Sequence, residues 1–275
     1  MMQRVNVNGV ELESETHGSG EPVVLIHGSA IADTYLPMMG EPSLSAFRLL
    51  RYRRRGFGAS THPQPPVSIP DQAADCMALM RRLGVSRAHV VGHSYGGAIA
   101  IQLALDFPDA LQSLVLLEPA LMGAVPDNGE FLQGFVTGPL AEYRKGDKRG
   151  AMALFLELVG GPNWRRIIDS LAGAFEMAVA DADNFFMVES PAIQEWSFTR
   201  QDAARIRQPV LAVVGADTIR IFHDVHKLVL SWFPQAQPFE LAKAGHFLQM
   251  ENPRPLSEAI ARFLREHPIG GEKPA

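Results

Sequence analysis

At 275 residues, 47% of them apolar and 20% charged, the chain reads as an ordinary soluble globular protein with one large core, or one core and a small addition. A net charge of −5, from 25 Lys and Arg against 30 Asp and Glu, argues against nucleic acid as a main partner, because phosphate neutralisation needs a basic face. The single cysteine, Cys76, excludes an intramolecular disulfide and any multi-cysteine metal site, and no apolar run is long enough to span a membrane.

The opening MMQRVNVNGVELES lacks the apolar run of a secretory signal, so a cytoplasmic location is the expectation. It alternates instead: Val5 and Val7, then Asn8-Gly9, then Val10 and Leu12, the pattern of a tight hairpin. Pro22 to Ile26 is a short continuous apolar run, as in strands buried on both faces of a parallel sheet. Phe47 to Tyr52 is a further strand, leading into Arg55-Gly-Phe-Gly58. A helix is expected from Ser68 to Leu83, with Pro70 near its start and Gly84 as its stop; Cys76 lies in it as a small buried residue.

His89 to His93 reads as a strand and Ser94 opens a helix that runs to Phe107. Leu114 to Leu117 is the next strand, ended by Glu118-Pro119. Strand, helix and strand at this spacing indicate an α/β architecture with a mostly parallel sheet. From 120 to 207 the strand pattern stops. Helical pieces are expected at 129–144, 148–159 and 164–180, with a weaker one near Ile193, and their many Met and aromatic residues could roof an apolar pocket. The α/β pattern resumes with Pro209 to Val214, a helix over 221–233, a short strand over 238–241 and a last helix from Pro253 to His267. The tail GGEKPA is expected to fray.

Gly92-His-Ser-Tyr-Gly96 fits the G-x-S-x-G pattern, which sets a serine on a strained strand-to-helix turn and needs small residues two places to either side. Ser94 is therefore the candidate nucleophile. A hydroxyl needs a base, and His246, in a loop after the last strand, is the best placed of nine histidines. His27 is expected to brace its loop, and His93 to line or support the pocket. His223 and His226, three apart on a helix, lack a third metal ligand nearby, so no metal is expected. Oxyanion donors are expected from the N–H of Tyr95 and from the loop after Ile26, with Ser29 first and Ala30 next.

His27-Gly28, Arg55-Gly-Phe-Gly-Ala-Ser60, Gly92-His-Ser-Tyr-Gly96 and Gly245-His246, in that order, resemble the α/β-hydrolase superfamily with a helical cap, from about residue 5 to 267. The resemblance implies an α/β-hydrolase fold: an eight-stranded, mostly parallel sheet flanked by helices, with the core in 1–119 and 208–275 and a cap in 120–207 after the sixth strand. It carries over Ser94 as nucleophile and His246 as base. The acid departs from the usual pattern: Gly215-Ala-Asp217-Thr218 sets Asp one residue early, while Glu118 ends the sixth strand, the place of the acid in haloalkane dehalogenases and zearalenone-type lactone hydrolases. Val214 to Thr218 followed by Phe222 also resembles that lactonase branch, and Glu118 and Asp217 stand as alternative acids. Arg53 replaces an Asp common in the family, with a structural consequence expected.

The function so implied is cofactor-free hydrolysis of an ester or lactone of small to medium apolar character through an acyl-enzyme. Carbon–carbon bond hydrolysis, perhydrolysis and slow-turnover ligand binding or signalling use the same fold. Phe135, Trp164 and Trp196, with Ala30 and His93, are candidate substrate contacts. A monomer and a homodimer fit equally well.

Overall fold

The computed structural model describes residues 2–270, so all of the expected frayed tail except Gly270 lies outside it. Eight strands form one sheet: β1 Gln3–Val7, β2 Val10–His17, β3 Glu21–Ile26, β4 Phe47–Arg53, β5 Ala88–His93, β6 Leu111–Leu117, β7 Val210–Gly215 and β8 Ala236–Leu241. Their order is β1-β2-β4-β3-β5-β6-β7-β8. β1 and β2 pair antiparallel, as β2 does with β4; all other pairs are parallel. The first hairpin turns at Asn8-Gly9, both at positive φ, with Val7 opposite Val10.

Because side chains alternate along a strand, the continuous apolar runs feed two cores. Val24, Ile26, Val90, Leu114, Leu116 and Ala212 face one side. There they meet helices α1 (Ile69–Arg82), α2 (Tyr95–Asp106) and, further along the chain, Arg220–Trp232. Val23, Leu25, Val91, Val115, Leu117 and Val213 face the other, against the last helix, Pro253–Arg265. α1 starts where the sequence places it, with Ser68 and Asp71 forming a reciprocal cap. Arg53 at the end of β4 binds Glu13 at 2.9 Å and Asp33 at 2.7 Å, a structural bridge between neighbouring segments.

Between β6 and β7 the chain is helical, with its buried side continuous with the α1–α2 core. Two expected helices are broken. The stretch 129–144 is α3 (Gly129–Thr137) and α4 (Pro139–Arg144), because Pro139 supplies no N–H and Gly138 leaves helical geometry. After α5 (Lys148–Gly160), the stretch 164–180 is α6 (Trp164–Ile168) and α7 (Ala174–Ala180), with Gly173 at φ +73° resetting the direction. A π-helical stretch, Asn184–Glu189, leads directly into α8 (Ser190–Glu195); simple 3.6-residue periodicity does not signal its wider turn. The helix Arg220–Trp232 is α9 and Pro253–Arg265 is α10. Among the described residues, no helix is long and apolar enough to cross a membrane.

Candidate active site

The site lies at the carboxyl ends of β3, β5, β6 and β7, where open α/β sheets form their ligand crevices. Ser94 joins β5 to α2 at φ +51° and ψ −119°, a strained backbone costing about 1–3 kcal/mol in a non-glycine residue. Neighbouring strands hold it there: its N–H donates to the Leu117 carbonyl at 3.0 Å, and its own carbonyl accepts from Ala120 N–H at 2.9 Å. The flanking glycines are required by space. A Cβ on Gly96 would lie 2.2 Å from the Ile26 carbonyl oxygen, and one on Gly92 would lie 2.5 Å from that of Gly96. As the first residue of α2, Tyr95 has an N–H with no acceptor inside the helix.

Sequence alone leaves two carboxylates open, and the structure brings one of them to His246. Glu118 Oε2 accepts from His246 Nδ1 at 2.6 Å. The same carboxylate accepts from the Gly215 N–H at 2.8 Å and from the Thr218 hydroxyl at 3.1 Å. Glu118 is buried and, like Ser94, sits at positive φ (+42°). Asp217 is exposed at the surface, and its N–H donates to the Ala244 carbonyl at 2.9 Å. Thr218, standing where the resemblance leads one to expect an acid, thus serves the carboxylate of the adjoining strand.

Burial pulls the His246 imidazole well below its usual range, so it is neutral at neutral pH. Burial pushes the Glu118 carboxyl up, against the two donors from β7 and its following loop that favour its charged form. With the Nδ1–H of His246 donated to Glu118, Nε2 is left as an acceptor, the arrangement a general base needs. Phe222 of α9 lies flat on the imidazole, centroids 3.9 Å apart at 9°, and keeps water off that face.

His93 does not face the cavity. It is buried 4.7 Å from the His246 ring, and its Nε2 donates to the His246 carbonyl at 2.8 Å, so it supports His246 from behind. His27 braces its loop as expected: Nδ1 donates to the Gly28 carbonyl at 2.7 Å and Nε2 accepts from the Arg54 N–H at 3.1 Å. The loop after β3 turns at Ala30, whose φ is +66°. Ser29 reaches the cavity wall and Ala30 does not.

Ser29, Ser94 and Tyr95 form the floor of a cavity of about 410 Å3. Its other walls come mostly from the helical segment, with Phe131 and Phe135 of α3, Phe155 of α5 and Phe185 among them. Phe135 therefore lines it. Trp164 does not: it packs on Phe175, 5.6 Å between centroids, inside the helical segment. Trp196 borders a neighbouring cavity; its indole N–H donates to Gln102 at 2.8 Å and its ring stacks on Phe198. Aromatic character could not separate these three, because which face of a short helix meets the sheet depends on breaks at Gly138 and Gly173. Two residues that sequence reading missed, Arg54 and Glu189, form a buried ion pair at 2.5 Å, with Glu189 in the cavity wall. Among the described residues, no cluster of three or more His, Cys, Asp or Glu could hold a metal ion, and His223 and His226 gain no third ligand.

The model of the alpha/beta hydrolase fold family matches residues 21–253, and the chain belongs to that family. It is an α/β-hydrolase enzyme. A relative from Caulobacter vibrioides, named "Putative carbamate hydrolase RutD", is 34% identical over 278 residues, covering 96% of this chain and 99% of that one. A thermophilic esterase from Thermogutta terrifontis shares the fold with a TM-score of 0.80 at 23% identity, over 97% of this chain and 100% of its own. Est816, described as an N-acyl homoserine lactone degrading enzyme, has a TM-score of 0.76 at 25% identity, over 95% of this chain and 100% of its own. The curated relatives differ in length: the chain spans 64% of one, the acetyltransferase component of an acetoin-cleaving system from Pseudomonas putida, at 28% identity over 90% of this chain.

Proposed function

We propose that the enzyme hydrolyses a carboxylic ester or lactone of small to medium apolar character through an acyl-enzyme, with residues 120–207 as its lid. The observation that carries this reading is the buried Glu118–His246 hydrogen bond beside a serine on a strained turn, beneath an apolar cavity.

Ser94 Oγ attacks the carbonyl carbon while its proton passes to His246 Nε2. The imidazolium so formed is stabilised by Glu118, which remains a carboxylate. The tetrahedral oxyanion accepts from the N–H groups of Ser29 and Tyr95, as negative charge develops at the N-terminus of α2. Collapse expels the alkoxide, which takes the proton from His246 as it leaves. In a lactone it stays tethered to the acyl group. A water molecule then gives its proton to His246 and attacks the acyl carbon, and the second collapse frees the acid and returns the proton to Ser94. The cavity volume and its phenyl walls fit a compact apolar substrate. Relatives named for ester, lactone and carbamate chemistry all act on acyl carbonyl compounds, in accord with this sequence of steps.

Purified protein is expected to release p-nitrophenol from short-chain p-nitrophenyl esters, and Ser94→Ala to reduce turnover to the uncatalysed background. Activity that survives Ser94→Ala would overturn the mechanism. A panel of lactones, an aryl carbamate and a ring-cleaved diketone ranks the bond types, and preference for the diketone would favour carbon–carbon hydrolysis instead.

A further inference from the structure

The cavity wall carries one buried carboxylate that the mechanism above leaves unused. Glu189 closes the π-helical stretch, is 1% exposed and belongs to the proposed lid. Its Oε1 lies 2.5 Å from Arg54 Nη1, and it shares the cavity wall with Ser29. Arg54 belongs to the core. Its Nε donates to the His27 carbonyl at 3.1 Å, Nη2 to the Gly28 carbonyl at 2.9 Å and Nη1 to Gln72 at 2.6 Å. Gln72 in turn donates to the Tyr95 hydroxyl at 3.1 Å, and the guanidinium lies over the Tyr95 ring at 4.9 Å. Glu189 and Arg54 thus touch both segments that carry the proposed oxyanion donors.

The surrounding contacts fix where Glu189 sits. Asp181, just ahead of the π-helical stretch, accepts from the Gly58 N–H at 3.1 Å. Gly56 leaves room for Asn184, since a Cβ there would lie 1.9 Å from Asn184 Oδ1. This segment therefore docks on the Arg54–Gly58 turn at three points. A carboxylate beside an oxyanion site would by itself oppose the charge that develops there. The adjacent guanidinium offsets it, so the effect of Glu189 on the reaction is one of placement.

We propose that Glu189 is a positioning residue: through its ion pair it holds Arg54, and with it the loop whose His27 and Gly28 carbonyls Arg54 binds, so that the Ser29 N–H points at the reacting oxygen, which makes oxyanion stabilisation depend on the docked lid. The proposal rests on the reading of Ser29 and Tyr95 as oxyanion donors to an acyl-enzyme.

The test compares Glu189→Gln, Glu189→Ala and Arg54→Lys with the parent enzyme on p-nitrophenyl acetate, an ester with no hydrogen-bond donor for Glu189 to recognise. Affinity for a trifluoromethyl ketone that adds to Ser94, and Tm, are measured alongside. Expected is a fall in kcat of about 10- to 100-fold for Glu189→Ala with KM changed less than about twofold, and weaker ketone binding by the same factor. Glu189→Gln should retain more activity, because its amide oxygen still faces the Arg54 guanidinium. Arg54→Lys keeps a cation beside Glu189 but cannot make the Nε and Nη2 bonds to the His27 and Gly28 carbonyls together, so it tests the link with Glu189 in place. It should lower kcat and ketone affinity by a similar factor, again with KM nearly constant.

Unchanged kcat and ketone affinity in all three variants would overturn the proposal. So would a loss confined to hydroxyl-bearing esters, which would make Glu189 a substrate contact. Either result leaves the hydrolase reading intact as long as parent turnover depends on Ser94; turnover that persists in Ser94→Ala would remove that reading itself.

Discussion

The sheet end and the helical roof of the cavity are built on opposite principles. At the sheet end, positions are set by backbone: Ser94 and Glu118 both sit at positive φ, strand-to-strand hydrogen bonds tie each in place, and the Glu118 carboxylate accepts from three donors. The roof offers mainly phenyl rings on short helices broken at glycine or proline, and its polar ties to the core include Asp181 to Gly58, Glu189 to Arg54 and Trp196 to Gln102. Such a division lets one region keep the chemistry fixed while the other changes what fits beside it. Glu189 crosses the boundary, which is why it bears testing apart from the rings around it.

Two sets of variants sharpen this contrast. At the sheet end, Thr218→Val keeps the side-chain shape and removes one donor to Glu118. A hydrogen bond to a charged group contributes about 1.5–3 kcal/mol, so kcat is expected to fall at least about tenfold with KM nearly constant. Equal activity in Thr218→Val would mean that the carboxylate is placed by Gly215 and His246 alone. In the roof, Phe135→Ala and Trp164→Ala should separate substrate contact from packing. Phe135→Ala is expected to raise KM several-fold. Trp164→Ala, removing a buried ring that packs on Phe175, should cost about 3–5 kcal/mol of stability and leave KM close to the parent value. The reverse pattern would break the assignment of the cavity as the substrate site.

The same contrast explains what was legible in the chain before the structure. Strand positions, the hairpin at Asn8-Gly9, the capped start of α1 and the turn at Ser94 follow from local rules: alternation, turn chemistry and the small residues at Gly92 and Gly96. His246, whose ring meets Glu118, stands out by its place after the last strand. Glu118 and Asp217 could not be separated, because the deciding hydrogen bond spans residues far apart in sequence, although Thr218 at the usual acid position was a usable sign. In the roof, periodicity gave helices but not their breaks, and so could not say that Phe135 faces the cavity while Trp164 faces its neighbours. Glu189 left no local signature at all; its meaning lies in Arg54, on another part of the chain.

The central claim is that the base is oriented by the carboxylate at the end of β6. The most direct measurement is kcat/KM of Glu118→Gln beside Asp217→Asn on the same p-nitrophenyl ester, with Tm recorded for both. Glu118→Gln is expected to lose about 10^4-fold, the scale seen when the carboxylate that orients a catalytic histidine becomes an amide, and Asp217→Asn to stay within about twofold of the parent. A folded Glu118→Gln enzyme with near-parental turnover, or a loss of that size in Asp217→Asn, would contradict the account.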